Sequence, residues 1–153
     1  LDQIDETIHL VIVGKAQGYA TLVKQRVEAL GLQHRVHLLH DVSFEDLPKL
    51  YQLARIFVYP SRFEGFGIPI IEALNMQLPV IAATGSCLEE AGGAHSKYVH
   101  PDDVTALATH ITDLWFNDTA RQLMIDKGLE YVQQFKPEVI ANEMYKVYFK
   151  TLK

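Results

Sequence analysis

RIFVYPSRFEGFGIPIIEALNMQLPVIAA, from Arg55 to Ala83, decides the fold. It begins on one apolar run, RIFVY, and ends on another, PVIAA. Between them lie a loop with two glycines, Gly65 and Gly67, and an apolar stretch long enough for a short helix, Ile68 to Asn75. A strand, a helix and a second strand at this spacing form a βαβ unit, which makes the two strands parallel.

The pattern extends in both directions. Ile8–Val13 (IHLVIV) and Arg35–His40 (RVHLLH) read as earlier strands, and Lys97–Val99 as a fifth, shorter one. The first and third strands set apolar residues side by side instead of alternating them, as expected for strands buried on both faces. Tyr19, Leu22, Val23, Val27 and Leu30 share one helical face, and Gly31 is placed to end that helix. In SFEDLPKLYQLA, Pro48 fits only the first turn, so a helix runs from Asp46 or Leu47 to about Ala54. Ser86 to Glu89 has the S-x-x-E spacing of a capping box. After His100 the chain turns helical, with Asp102 as one expected cap, Asp118 or Thr119 as the next, and Pro137 starting a last helix through Tyr148. The expected fold is α/β: a doubly wound parallel sheet of about 4–5 strands with C-terminal helices, in one domain over residues 1–153.

Composition sets bounds on function. The 153 residues are 48% hydrophobic and 22% charged, enough for a packed core. A net charge of −5 argues against a nucleic-acid partner. Lys146, Lys150 and Lys153 read as a solvated helix tail, with peripheral contact to an anionic membrane surface as the second reading. The single cysteine, Cys87, leaves no internal disulfide and fits the cytoplasm. No apolar run approaches membrane-spanning length. The opening at Leu1, without methionine, reads as a piece cut from something longer.

In an open α/β sheet, ligands bind beyond the carboxyl ends of the strands. That rule selects four loops: Gly14–Gly18, His40–Asp46, Pro60–Gly67 and Ala83–Ser86. In the third, Gly65 and Gly67 let the backbone approach a ligand, and the amides of about Phe66 to Ile70 offer a helix N-terminus to an anion such as a diphosphate. The same glycines also suit a plain strand-to-helix turn.

Glu64 and Glu72 flank this turn. A hydrolytic pair of carboxylates sits about 5 to 9.5 Å apart. Eight helical steps would separate these two by about 12 Å. They fit better as two grips on one long ligand, Glu64 on a sugar and Glu72 on a ribose, since a carboxylate accepts two hydroxyl hydrogens. Glu72 also lies among Pro69, Ile70, Ile71, Ala73 and Leu74, where a charge needs a partner or a ligand. His34, His37 and His40 look like metal ligands, but alternation along a strand sends His37 to the opposite face. No nucleophile elbow is present.

EGFGIPIIEA, Glu64 to Ala73, resembles the E-x7-E motif of retaining glycosyltransferases of the GT-B fold, in the group 1 (family 4) class. LVIVGKAQG, the run from Leu30 to Ala83, GSCLEEAGGA and VHPDDVTALATHI follow the family in order, so the similarity covers most of the chain. The resemblance implies the C-terminal, Rossmann-like domain, one half of a GT-B fold, that binds a nucleotide-sugar (NDP-sugar) donor. It implies Glu64 as the catalytic residue holding sugar hydroxyls, Gly65, Phe66, Gly67 and Ile68 at the sugar and diphosphate, and Glu72 on the ribose. Val42 and Leu47 would flank the base, and Gly14 would let the first loop near the phosphates. It further implies transfer of a hexose to a glycan or lipid hydroxyl with retention, through front-face attack assisted by the donor phosphate, and no metal. Two parts of the family pattern are missing from the sequence. These are the upstream first strand and loop, with their Arg/Lys clamp on the diphosphate, and the N-terminal acceptor domain. Lys15 and Arg62 are the nearest basic candidates. A non-catalytic nucleotide-sugar-binding module is the alternative. A response-regulator-like domain is disfavoured, because the first strand ends in Gly14 and Lys15 instead of an acidic cluster.

Overall fold

The computed structural model describes residues 4–16 and 18–151, so Leu1, Gln17 and Lys153 of the sequence reading lie outside the described residues. The chain forms two compact units, Leu1–Leu50 and Tyr51–Lys153, and each is described in its own frame.

The first unit holds β1 (Leu10–Val13), α1 (Tyr19–Ala29) and β2 (Val36–Leu39). β1 and β2 pair in parallel, with Leu10 opposite Val36 and Val13 opposite Leu39. α1 ends as Gly31 requires. Its φ of +66° is the left-handed conformation that glycine adopts at no steric cost, and the amides of Gly31 and Leu32 close back on the carbonyls of Glu28 and Val27. Arg35 is buried, and its guanidinium donates to the carbonyls of Asp5 and Ile8, tying the segment before β1 to the start of β2. The expected two-sided burial of β1 does not hold, since Val11, Ile12 and Val13 are 47, 36 and 43% exposed. Two strands and one helix with no buried residue supply too few layers to cover both faces of the pair.

α2 (Leu47–Leu53) spans the boundary between the units. The second unit continues with β3 (Phe57–Tyr59), α3 (Ile68–Asn75), β4 (Val80–Ala83), α4 (Leu88–Gly92) and β5 (Lys97–Val99). Three helices follow: α5 (Val104–Phe116), α6 (Asp118–Val132), which runs into a 3-10 turn at Gln133–Phe135, and α7 (Pro137–Thr151). β3, β4 and β5 form a parallel sheet in chain order. Among the described residues the five strands thus fall into a pair and a triplet, and every pairing is parallel.

β4 is the strand buried on both faces: all four of its residues are at most 1% exposed. Alternation sends Ile81 to one side, where it packs with Val99, Leu114 and Met124 and with the α5 residues Leu107 and Ile111. α3 packs on β3 and β4, and also on α4 and α6, burying Ile70, Ala73 and Leu74. α7 packs chiefly on the 3-10 turn, and Ile140, Met144, Val147 and Tyr148 stay about half exposed. Among the described residues no helix is long and apolar enough to cross a membrane.

Three caps differ from expectation. Asp103, not Asp102, caps α5 by accepting from the Ala106 amide at 2.8 Å, because Asp102 is turned toward Arg62. Asn117, not Asp118 or Thr119, caps α6 through the Ala120 amide at 2.9 Å, and Asp118 instead pairs with Arg55 and Arg121. The S-x-x-E box does not form. Ser86 accepts from Leu88 at 3.4 Å, and α4 begins after Cys87 with no side-chain cap. Asp103→Ala is expected to lower the unfolding free energy by about 1 kcal/mol, while Asp102→Ala leaves it near wild type. Urea titrations showing equal losses would contradict this assignment.

Candidate functional site

The site is built on the segment from Ser61 to Asn75, where β3 gives way to α3. Gly67 makes the turn. Its φ of +107° is a backbone conformation that other residues rarely adopt. A Cβ there would stand 2.9 Å from Leu88 Cδ2 and 3.1 Å from Ala91 Cβ, so Gly67 also lets α3 seat against α4. Gly65 differs: a Cβ there would meet nothing within 4 Å. The two glycines that look equivalent in sequence therefore divide the work. Gly67 answers to backbone and packing, and Gly65 leaves open space beside Glu64.

The amides of Phe66, Gly67 and Ile68 have no hydrogen-bond acceptor among the described residues. The first turn of α3 closes with Ile70 donating to the Gly67 carbonyl at 2.9 Å, and Pro69 has no N–H to offer. Three donors at a helix start are thus available to an anion. The Phe66 ring packs edge-on against Phe135 at 5.6 Å. The Ile68 side chain is exposed.

Both glutamates are half-buried, and each is held by a tyrosine. Glu64 Oε1 accepts from the Tyr59 hydroxyl at 2.6 Å and from Ser61 Oγ at 2.8 Å. Glu72 lies in the second turn of α3, where its Oε2 accepts from the Tyr51 hydroxyl at 3.0 Å. The second oxygen of each carboxylate has no partner among the described residues. Burial, and then the neighbouring carboxylate, push the Tyr59 phenol up to about 12, and the same two causes raise Tyr51. Both phenols therefore remain donors at neutral pH. Phe57 touches both tyrosine rings, at 5.5 and 5.8 Å between centroids.

Of the four loops singled out in the sequence, the first two meet through residues of their own, and the third meets Cys87, one residue past the fourth. In the second unit, Cys87 Sγ in the segment after β4 donates to the Glu64 carbonyl at 3.3 Å. In the first unit, His40 meets the Gly14 carbonyl at 3.0 Å, and the Gly14 amide donates to Leu39. A Cβ at Gly14 would meet open space, and Val42 and Leu47 are half-buried in the same unit. Of the three histidines singled out, His37 Nε2 lies 2.9 Å from His9 Nδ1 and His40 meets the Gly14 carbonyl, and no cluster among the described residues could hold a metal ion. Arg62, the basic side chain beside Glu64, is ion-paired with Asp102.

Sequence reasoning missed Tyr51, Tyr59, Ser61 and Cys87. Ser61 left a signal, since S-x-x-E is the capping-box spacing, with the hydroxyl here bonded to the carboxylate itself. Tyr51 left none, because its contact crosses 21 positions.

Comparison with known proteins sharpens this picture. A family model described as "Glycosyl transferases group 1" matches residues 1–131. The chain is 37% identical over 113 residues to O-antigen chain mannosyltransferase B of Escherichia coli, covering 74% of this chain and 30% of that protein. It is 42% identical over 98 residues to O-antigen chain mannosyltransferase RfbU of Salmonella typhimurium, covering 64% and 28%. The chain thus spans about three-tenths of the length of these relatives. Among solved structures it is similar to a sucrose-phosphate synthase from Thermosynechococcus elongatus, with a TM-score of 0.82, 27% identity, and coverage of 94% of this chain and 38% of that one. It also matches Anabaena HepE in complex with UDP, with a TM-score of 0.86 over 97% of this chain and 42% of that one; at 22% identity that likeness is one of fold. The α/β fold is that of GT-B glycosyltransferase domains.

The division of labour between the glycines is testable. Gly67→Ala is expected to cost about 1–3 kcal/mol through its left-handed backbone, beyond any cost of the contact with Leu88. Gly65→Ala should leave thermal and urea stability at wild-type values. Equal losses at both positions would show that the open space at Gly65 is not real.

Proposed function

This chain belongs to the group 1 glycosyltransferases, and from that premise we propose that it is the donor-binding part of a retaining glycosyltransferase. The observation that carries the reading is the trio of open amides, Phe66 to Ile68, set between two glutamates that each keep one oxygen free. A nucleoside diphosphate sugar has hydroxyls at both ends and negative charge between them, and this segment supplies acceptors, donors and acceptors in the same order.

In this reading Glu64 takes hydroxyls of the transferred hexose and Glu72 takes those of the ribose. The α3 amides and the positive end of the helix meet the charge that grows on the diphosphate as the sugar leaves. Arg62 is engaged with Asp102, so the backbone bears that task within this unit, and no metal is invoked. Gly14, Val42 and Leu47 retain the roles the resemblance implies, on the phosphates and the base. The acceptor-binding domain, and the upstream strand and loop with the basic clamp, belong to the remainder of a longer protein, consistent with the chain's three-tenths share of its relatives. The relatives named as O-antigen mannosyltransferases favour a glycan or lipid-linked acceptor in polysaccharide synthesis. The single cysteine favours the cytoplasm, with any membrane contact peripheral.

Calorimetric titration of UDP-, GDP- and ADP-sugars into the full-length protein tests the assignment. Glu72→Ala is expected to weaken both the nucleotide and the nucleotide-sugar by about 10-fold or more, as for a lost hydrogen bond to a charged group. Glu64→Ala should weaken only the increment that the sugar adds. Wild-type affinities in both variants would sink the reading. Donor binding without transfer to any hydroxyl acceptor would favour the non-catalytic module instead.

A further inference from the structure

Tyr51 and Tyr59 stand in the same relation to two different glutamates. Each phenol donates to one oxygen of a half-buried carboxylate, at 3.0 and 2.6 Å, and the other oxygen is left without a partner among the described residues. Both rings rest on Phe57, the first residue of β3. Tyr59 closes that strand, while Tyr51 reaches in from α2. Tyr51 is buried, so its ring is fixed before any ligand arrives.

We infer that Tyr51 and Tyr59 are positioning residues that set the rotation of Glu72 and Glu64, so that the free oxygen of each carboxylate is presented to the donor. This rests on the donor-binding reading above. An unanchored glutamate has three rotatable bonds, and freezing them on binding costs affinity. A phenol that occupies one oxygen beforehand removes most of that cost and still leaves an acceptor oxygen for a ligand hydroxyl. Ser61 gives Glu64 a second donor at 2.8 Å on the same oxygen, so Glu64 is fixed from two directions and Glu72 from one. Glu72 therefore depends more heavily on its tyrosine. A structural role alone would not require the hydroxyls: the contacts with Phe57, one tilted and one stacked, are made by the rings and survive replacement by phenylalanine.

The test uses Tyr51→Phe, Tyr59→Phe and Glu72→Gln in the full-length protein, with the best-bound of UDP, GDP and ADP, free and as its glucose and mannose esters. Tyr51→Phe is expected to weaken free nucleotide and nucleotide-sugar by the same factor, about 3- to 10-fold. Tyr59→Phe should leave free nucleotide unchanged and weaken the sugar increment, by a smaller factor because Ser61 remains. Adding Tyr51→Phe to Glu72→Gln should cost little more than Glu72→Gln alone, since the two act as one unit. The positioning role is overturned if Tyr51→Phe binds like wild type while Glu72→Gln is weakened. It is also overturned if the two losses multiply in full, or if Tyr59→Phe weakens free nucleotide and nucleotide-sugar equally. Wild-type binding by Glu72→Gln would instead overturn the donor grip itself, and the positioning role with it.

Discussion

The backbone at Gly67 is the constraint on which the site depends. A residue at φ +107° with Leu88 and Ala91 pressed against its α-carbon leaves no room for a side chain. That turn carries the chain from β3 into α3 with three amides left without an acceptor among the described residues, and it lets α3 seat on α4 and on the fully buried strand β4. Core and site are thus consequences of one local geometry. Leu88, Ala91 and Ile70 bury the inner side of the turn, and the outer side is left to a ligand.

Around that turn, charge is handled by neutral donors. The two glutamates are held by hydroxyls, not by cations: Tyr59 and Ser61 on Glu64, and Tyr51 on Glu72. An arginine in either place would satisfy both carboxylate oxygens in a fork and leave little for a sugar. A single hydroxyl on one oxygen holds the group and keeps it available. The nearby arginine, Arg62, is occupied by Asp102, whose carboxyl it holds below the usual range.

Much of this was legible in the sequence, and the exceptions share a cause. The order of strands and helices followed from periodicity, proline and glycine. Features set by distant neighbours did not follow. Asp102 and Asp103 are equally good caps on paper, and the choice fell to Asp103 because Arg62, forty positions earlier, claims Asp102. The apolar runs of β1 and β3 read as buried on both faces, yet it is β4 that is fully buried, while β3 is half-buried and β1 largely exposed. Gly65 and Gly67 read alike until the positions of Leu88 and Ala91 are known. At the site, the glutamates and the glycine turn were visible as a motif. The tyrosines that hold the glutamates were not, because a tyrosine in an apolar helix (Tyr51) or strand (Tyr59) looks like core until its hydroxyl is followed to its acceptor.

The most direct measurement is a crystal structure of the full-length protein with a bound nucleotide-sugar. The account predicts diphosphate oxygens within hydrogen-bonding distance of the Phe66, Gly67 and Ile68 amides. It also predicts the free oxygen of Glu72 on the ribose and that of Glu64 on the sugar, with both tyrosine contacts intact. A donor bound elsewhere on the domain, with these amides still turned to solvent, would contradict it.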